Sequence, residues 1–314
     1  MARKVLVTGG AGFIGSHVVD AHLAAGDQVT VLDDLSSGRR ERVPGAARFV
    51  HADVRSEEAR RLVAEGGFAL LNHHAAQIDV RRSVADPVFD ASVNLVGFLN
   101  LLEGARAGGV GRVVFASSGG TVYGDGAALP LGETTPKLPA SPYGTAKLAA
   151  EYYLATFARL HGLTSVALRY SNVYGPRQDG AGEAGVVAIF ARLALAGEAL
   201  TVFGDGEQTR DMVFVKDVAQ ANLAASTCPL PPLRDLDTCA VNIGTGVETS
   251  VNTLAALISQ AAGRPLALRH APARAGELRR NALAIAKADQ LLHWRPTTPL
   301  GAGLAATVRA VAED

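Results

Sequence analysis

Short runs rich in β-branched residues, Lys4–Thr8, Gln28–Asp33, Arg48–Ala52, Phe68–Asn72, Arg112–Ser117 and Ser165–Tyr170, are separated almost everywhere by longer stretches of helical pattern. Such alternation dictates βαβ units. Strands this continuously apolar require helices on both faces of a parallel sheet, so the spacing predicts a doubly wound α/β fold. Past about Asn172 the rhythm loosens into Gly- and Pro-containing loops, with helices predicted over Val186–Ala196 and Val251–Ala262. Val241-Asn242-Ile243 reads as a strand returning to the main sheet near 239–244. The expected organisation is a main domain over 1–171 and a smaller, discontinuous C-terminal region over 172–314.

At 314 residues the chain is long enough for one large α/β unit or two intimate domains with a sizeable core. Its 30 basic and 30 acidic residues balance. That removes the electrostatic footprint of a dedicated nucleic-acid binder and favours a small, discrete ligand. Apolar runs fall short of the roughly 18 residues needed to span a bilayer, and Met1-Ala2-Arg3-Lys4 passes directly into a strand-like run without a leader's apolar region. A soluble, cytoplasmic protein with no membrane partner is the expectation. Cys228 and Cys239 have neither metal-ligand nor redox-pair spacing, so no metal or disulfide is expected. Pro229-Leu230-Pro231-Pro232 reads as a surface loop.

The first strand ends in Gly9-Gly10-Ala11-Gly12-Phe13-Ile14-Gly15, followed by a helical run. A strand, a glycine turn and a helix start bring bare backbone and helix N–H groups up to a pyrophosphate. Both Gly9/Gly12/Gly15 and Gly10/Gly12/Gly15 fit a dinucleotide register. Asp33 closes the second strand, where a carboxylate accepts hydrogen bonds from the adenosine ribose diol and repels a 2′-phosphate. NAD is therefore the expected cofactor. Arg39 and Arg40 are the residues through which NADP would have to be accommodated, and Asp34 suits a turn or helix cap.

Tyr143 and Lys147 are four apart near the start of a helical stretch and share one face. A phenol with an ordinary pKa of about 10 is a poor base at neutral pH; a nearby cation and a hydroxyl hydrogen bond favour its ionised form. Lowering it by about three units takes about 4 kcal/mol. Lys147 supplies the cation, and the Ser117-Ser118 pair ending the fifth strand supplies the hydroxyl.

Thr8–Gly15, Asp53-Val54, Ser117–Gly124, Tyr143–Lys147 and Leu168–Gln178 together resemble the extended short-chain dehydrogenase/reductases over almost the whole chain. Within that family the UDP-glucose 4-epimerases are most similar, a likeness extended by Phe203–Asp211 and Arg274–Leu278. The resemblance implies a Rossmann-type sheet. It also implies that Phe13 and Ile14 lie beside the cofactor, Asp53 and Val54 border adenine, and Asp34, Ser36, Ser37 and Gly38 surround its ribose. Ala75, Ala76 and Gln77 with Asn94 would face the cofactor's inner side. Ser118 lies five positions before Tyr123, where many relatives place the catalytic hydroxyl four before; the glycines Gly119-Gly120 favour Ser118 over Ser117 without deciding the choice. Paired helices around Pro87–Ala107 and Tyr143–Leu160 imply a homodimer.

A nucleotide diphosphate calls for guanidinium groups, which bond phosphate bidentately; Arg210 and Arg274 are the candidates. The resemblance adds Asn172 beside the diphosphate, Phe203 beside uracil and Glu277 at the uridine ribose, with Asn281 helping to set the volume of the sugar pocket. The implied activity is inversion of C4 of a UDP-hexose through a 4-keto sugar, with NAD as resident cofactor. A 4,6-dehydratase needs a further acid/base pair, and Gly119-Gly120-Thr121 carries no carboxylate. A non-catalytic NAD sensor would need neither Tyr143 nor Lys147.

Overall fold

The computed structural model describes residues 2–124, 128–179, 185–264, 267–272 and 278–313. The first half of the chain runs β1 (Lys4–Thr8), α1 (Phe13–Ala24), β2 (Gln28–Asp33), β3 (Arg48–His51), α2 (Glu57–Glu65) and β4 (Leu70–His73). It continues with α3 (Val80–Ala85), α4 (Pro87–Ala91), α5 (Gly97–Gly108), β5 (Arg112–Ser118), α6 (Pro142–His161) and β6 (Thr164–Tyr170). Then come β7 (Asn172–Tyr174), α7 (Val186–Ala196), β8 (Leu200–Phe203), β9 (Thr209–Phe214), α8 (Val215–Ala225) and β10 (Ala240–Ile243). The chain ends with β11 (Glu248–Ser250), α9 (Val251–Ala262), β12 (Leu268–Ala271), α10 (Ala286–Leu292) and α11 (Leu300–Glu313).

Among the described residues the main sheet has seven parallel strands in the order β10-β6-β5-β4-β1-β2-β3. Alternation along each strand sends side chains to two separate cores. Val5, Val7, Val31, Val114, Leu168 and Val241 pack under α1 and α8. Leu6, Leu32, Leu71, Val113, Phe115 and Ala167 pack under α2, α5 and α6. Each Val, Leu or Phe side chain so removed from water contributes about 1.5 to 3 kcal/mol, which is why the strands read as apolar throughout. The doubly wound, Rossmann-type reading is what the chain adopts. Strand ends differ from expectation by a residue or two: β4 begins at Leu70 rather than Phe68, and β3 stops at His51.

Strand order reverses between β1 and β4, so a crevice opens beyond their C-terminal ends, where doubly wound sheets receive ligands. The C-terminal half adds a three-stranded sheet, β11-β9-β7, and the pair β12-β8. Both pack on α7, α9 and α11 through Phe190, Leu200, Val202, Leu254, Ile258 and Leu304. The chain then re-enters the main sheet as β10, paired in parallel with β6 from Ala240↔Ala167 to Ile243↔Tyr170.

Candidate active site

A cavity of about 570 Å³ occupies that crevice. Its floor is the turn between β1 and α1, where Gly9 adopts φ +67°, a conformation side chains disfavour. Gly9, Gly12 and Gly15 line the cavity with Phe13 and Ile14, whereas Gly10 turns toward the buried side chains of Val31 and Val19. The structure thereby selects the first of the two glycine registers. A cavity of this size, with exposed turn backbone and the N-terminus of α1 at its floor, fits an NAD pyrophosphate.

Asp33 stands at the end of β2, 7% exposed. Its Oδ2 accepts from the Ala11 N–H and its Oδ1 from the Leu35 N–H, both at 2.9 Å. Burial raises its pKa above the ordinary value, and the two backbone donors oppose the rise. These bonds aim the carboxylate, and each oxygen retains a lone pair for a ribose hydroxyl. Asp34, Ser36, Ser37, Gly38, Asp53, Val54, Ala75, Ala76 and Gln77 complete this end of the cavity. Asp53 is held by Arg55, whose Nε donates to both carboxylate oxygens at 3.0 Å.

Asn94 does not line the cavity with these residues. It sits on a π-type turn, Ser92–Val96, and its side chain is consumed behind the wall. Its Oδ1 accepts from the Gln77 N–H, and its Nδ2 donates to the Gln77 carbonyl and to Asp90 Oδ1, each at 2.9 Å. Asn94 therefore clamps the loop that carries Ala75–Gln77, a role that a lone Asn in a helical pattern does not reveal.

The opposite end of the cavity is built by β5 and α6. Ser141 caps α6 by accepting from the Gly144 N–H at 3.1 Å, and Pro142 occupies its first turn. This fixes Tyr143 and Lys147 on the face toward β5. Lys147, 3% exposed, donates to the Ala116 carbonyl at 2.9 Å, and its ammonium lies 5.7 Å from the centre of the Tyr143 ring. Burial pulls Lys147 down to about 8, against the opposing charges of Asp90 and Glu151. Burial likewise pushes Tyr143 up to about 12; Asp90 adds to the rise, and a hydrogen bond with Ser118 opposes it.

The two serines are separated by the strand's alternation. Ser117 lines the cavity but donates to Glu151 Oε1 at 2.5 Å, while Ser118, outside the cavity lining, is the serine that holds down the proton affinity of the phenol. A Cβ at Gly119, four before Tyr123, would lie 2.5 Å from Leu283 Cδ1, so a side chain there requires Leu283 to shift. Glu151, unremarked in the sequence, is also bound by Arg169 through Nε at 3.0 Å and Nη2 at 2.6 Å, both residues being buried. The spacing Tyr143, Lys147, Glu151 repeats every four residues, a signal that could have found it. Arg169, a charge near the end of an otherwise apolar strand, was the other. His74 and Tyr170 also line the cavity, their rings stacked 6.2 Å apart.

Asn172, Phe203 and Arg210, expected at the sugar nucleotide, do not line this cavity. Asn172 starts β7 and Phe203 ends β8. Arg210 on β9 donates to the carbonyls of Thr209 and Leu278 at 2.8 Å. Arg274 and Glu277 fall outside the described residues. Asn281 is 2% exposed, and its Oδ1 has no hydrogen-bond partner. Among the described residues there is no cluster able to hold a metal, and no helix is long and apolar enough to cross a membrane.

Comparison with known proteins bears directly on this cavity. The model of the NAD dependent epimerase/dehydratase family matches residues 5–233. The chain belongs to that family. A UDP-glucose 4-epimerase of Mycolicibacterium smegmatis is 47% identical over 310 residues, covering 97% of each chain. The structure of the Thermotoga maritima UDP-glucose 4-epimerase with UDP-glucose superposes with a TM-score of 0.94 at 43% identity, covering 99% of both chains. That of the Thermus thermophilus UDP-glucose 4-epimerase in complex with NAD gives 0.91 at 43% identity, covering 98% of this chain and 99% of the other. This member of the family is thus an epimerase-like chain along its whole length, with NAD as the family's cofactor.

Proposed function

We propose that this chain is an NAD-dependent nucleotide-sugar epimerase that inverts C4 of a UDP-hexose of the glucose/galactose type. The observation that carries the proposal is a single cavity running from Asp33 and the glycine turn to Tyr143 and Lys147. NAD, held by the glycine turn and Asp33, would supply oxidation and re-reduction at C4 and a positive charge that favours phenolate. Tyr143 would take the C4 hydroxyl proton as C4 is oxidised and return it to the C4 oxygen once the turned keto sugar has received hydride on its opposite face. Lys147 provides the cation for the phenolate, and Ser118 the hydrogen bond that orients it. On this reading residues 1–171 with β10 hold the dinucleotide. Most of 172–314 holds the sugar nucleotide, through Asn172, Phe203, Arg210, Arg274 and Glu277.

A second copy of the chain is the partner we propose. Val84, Val88, Tyr152 and Leu160 are 63%, 78%, 57% and 70% exposed on α3, α4 and α6, helices that pack against one another, and a second copy would cover them. Incubation of the purified protein with UDP-glucose, with product stereochemistry read by NMR, tests the activity. Accumulation of UDP-galactose is the expected result. Return of unchanged substrate, or a product dehydrated at C5 and C6, would sink the proposal.

A further inference from the structure

Asp90 lies on α4, which packs against α6, and only 1% of it is exposed. Its Oδ1 accepts from Gln77 Nε2 and Asn94 Nδ2, both at 2.9 Å. Its Oδ2 is buried without a hydrogen-bond partner. Two neutral donors on one oxygen leave the carboxylate's charge uncompensated, a costly arrangement unless a cation answers it.

The groups around Asp90 identify that cation. Across the α4–α6 contact stand Tyr143, Lys147 and Glu151. Glu151 is already neutralised by Arg169. On the α3 side Arg82 lies over the Phe89 ring at 4.0 Å, and Arg55, paired with Asp53, lies over the same ring at 5.6 Å. Lys147 remains: its ammonium is held by a neutral carbonyl, and it interacts electrostatically with Asp90. We infer that Asp90 is a positioning residue, the buried counter-charge that balances the Lys147 ammonium and sets the proton affinity of the Tyr143–Lys147 pair. Its anchors are Gln77 and Asn94, so the loop lining the cofactor cavity is fastened to the charge that governs the acid/base groups.

The direction of the effect follows from electrostatics. A fixed negative charge favours protonated Lys147 and disfavours Tyr143 phenolate, so it raises the proton affinity of both. Deleting it moves both toward lower pH. The inference rests on the roles proposed above for Tyr143 and Lys147.

The test is Asp90→Asn, which keeps an acceptor for Gln77 and Asn94 and removes the charge. In NAD-saturated enzyme, both limbs of the pH–rate profile are expected to slide to lower pH by about one unit. Independently of turnover, the ultraviolet phenolate signal of Tyr143, isolated by difference from Tyr143→Phe, should shift in the same direction. Asp90→Glu should restore the original position. Gln77→Ala, which removes an anchor but not the charge, should weaken NAD binding without sliding the profile. If Asp90→Asn does not fold, the same midpoints in Asp90→Ser decide. A variant that lowers the rate while both midpoints stay put overturns the inference. A profile indifferent to Tyr143→Phe and Lys147→Ala would instead sink the underlying assignment.

Discussion

Ser117 is hydrogen-bonded to Glu151 at 2.5 Å, which turns its hydroxyl away from the phenol that its neighbour Ser118 approaches. The two serines are therefore not interchangeable. Ser118→Ala should impair turnover, because Ser117 cannot rotate into its place without abandoning a buried carboxylate. Ser117→Ala should cost about 1 to 3 kcal/mol of stability, by leaving that carboxylate short of a donor, with a smaller effect on turnover. Thermal denaturation and epimerisation rates measured on both variants check this, and equal activity losses would contradict it.

Tyr143→Phe keeps the ring and removes the ionisable oxygen. Folding and NAD binding are expected to survive, with epimerisation reduced by about 10² to 10⁴-fold, the usual size of a general-base loss. Circular dichroism controls for folding, and single-turnover reduction of bound NAD reads the chemistry. Retention of more than about a tenth of wild-type turnover would remove Tyr143 from the base role.

Asp33→Ala deletes the acceptor aimed at the ribose diol and frees the N–H groups of Ala11 and Leu35. Affinity for NAD should fall about tenfold or more, and the discrimination against NADP should narrow. Titration with both dinucleotides, together with mass spectrometry of any co-purified cofactor, provides the measurement. Preferential NADP binding by the unaltered protein would redirect attention to Arg39 and Arg40.

Acid should destabilise the fold through its buried histidines. Burial lowers His17 from 6.5 to about 4 and His74 to about 3, and holds His73 well below its ordinary value. The unfolded chain then binds more protons than the native one below 6.5, so stability is present at neutral pH and declines as pH falls toward the folded values. Asp33 and Asp90, raised above 3.8, act in the opposite sense nearer that value. The loss is thus cleanest between pH 6.5 and about 5. Denaturant midpoints across that window should fall; a flat profile would show that these rings ionise in place.

The sheet was legible in the sequence because both of its faces are covered, which leaves apolar runs with few polar interruptions. The dinucleotide turn and the Tyr143/Lys147 pair were legible for a related reason: each depends on a few residues close together along the chain. Asn94 and Asp90 were not, and Glu151 was marked only by its place four residues after Lys147. Their roles arise where α4, α6 and the Gln77 loop meet, and no local pattern distinguishes a buried Asp that faces a lysine from a helix-surface carboxylate. The Ser117/Ser118 choice likewise needed Glu151, which takes up the Ser117 hydroxyl from a distant part of the chain.

Strand β10 is four residues long and closes the main sheet beside the seven-residue β6. A short terminal strand is a stopper: it offers little backbone for a foreign strand to pair with. A fragment ending before Ala240 would keep the glycine turn, Tyr143 and Lys147 yet bare one full edge of β6, including Ala167–Tyr170, to solvent. Such a fragment should self-associate edge to edge. On that expectation the C-terminal half shields an edge of the N-terminal half, and a single cut would not yield two independent modules.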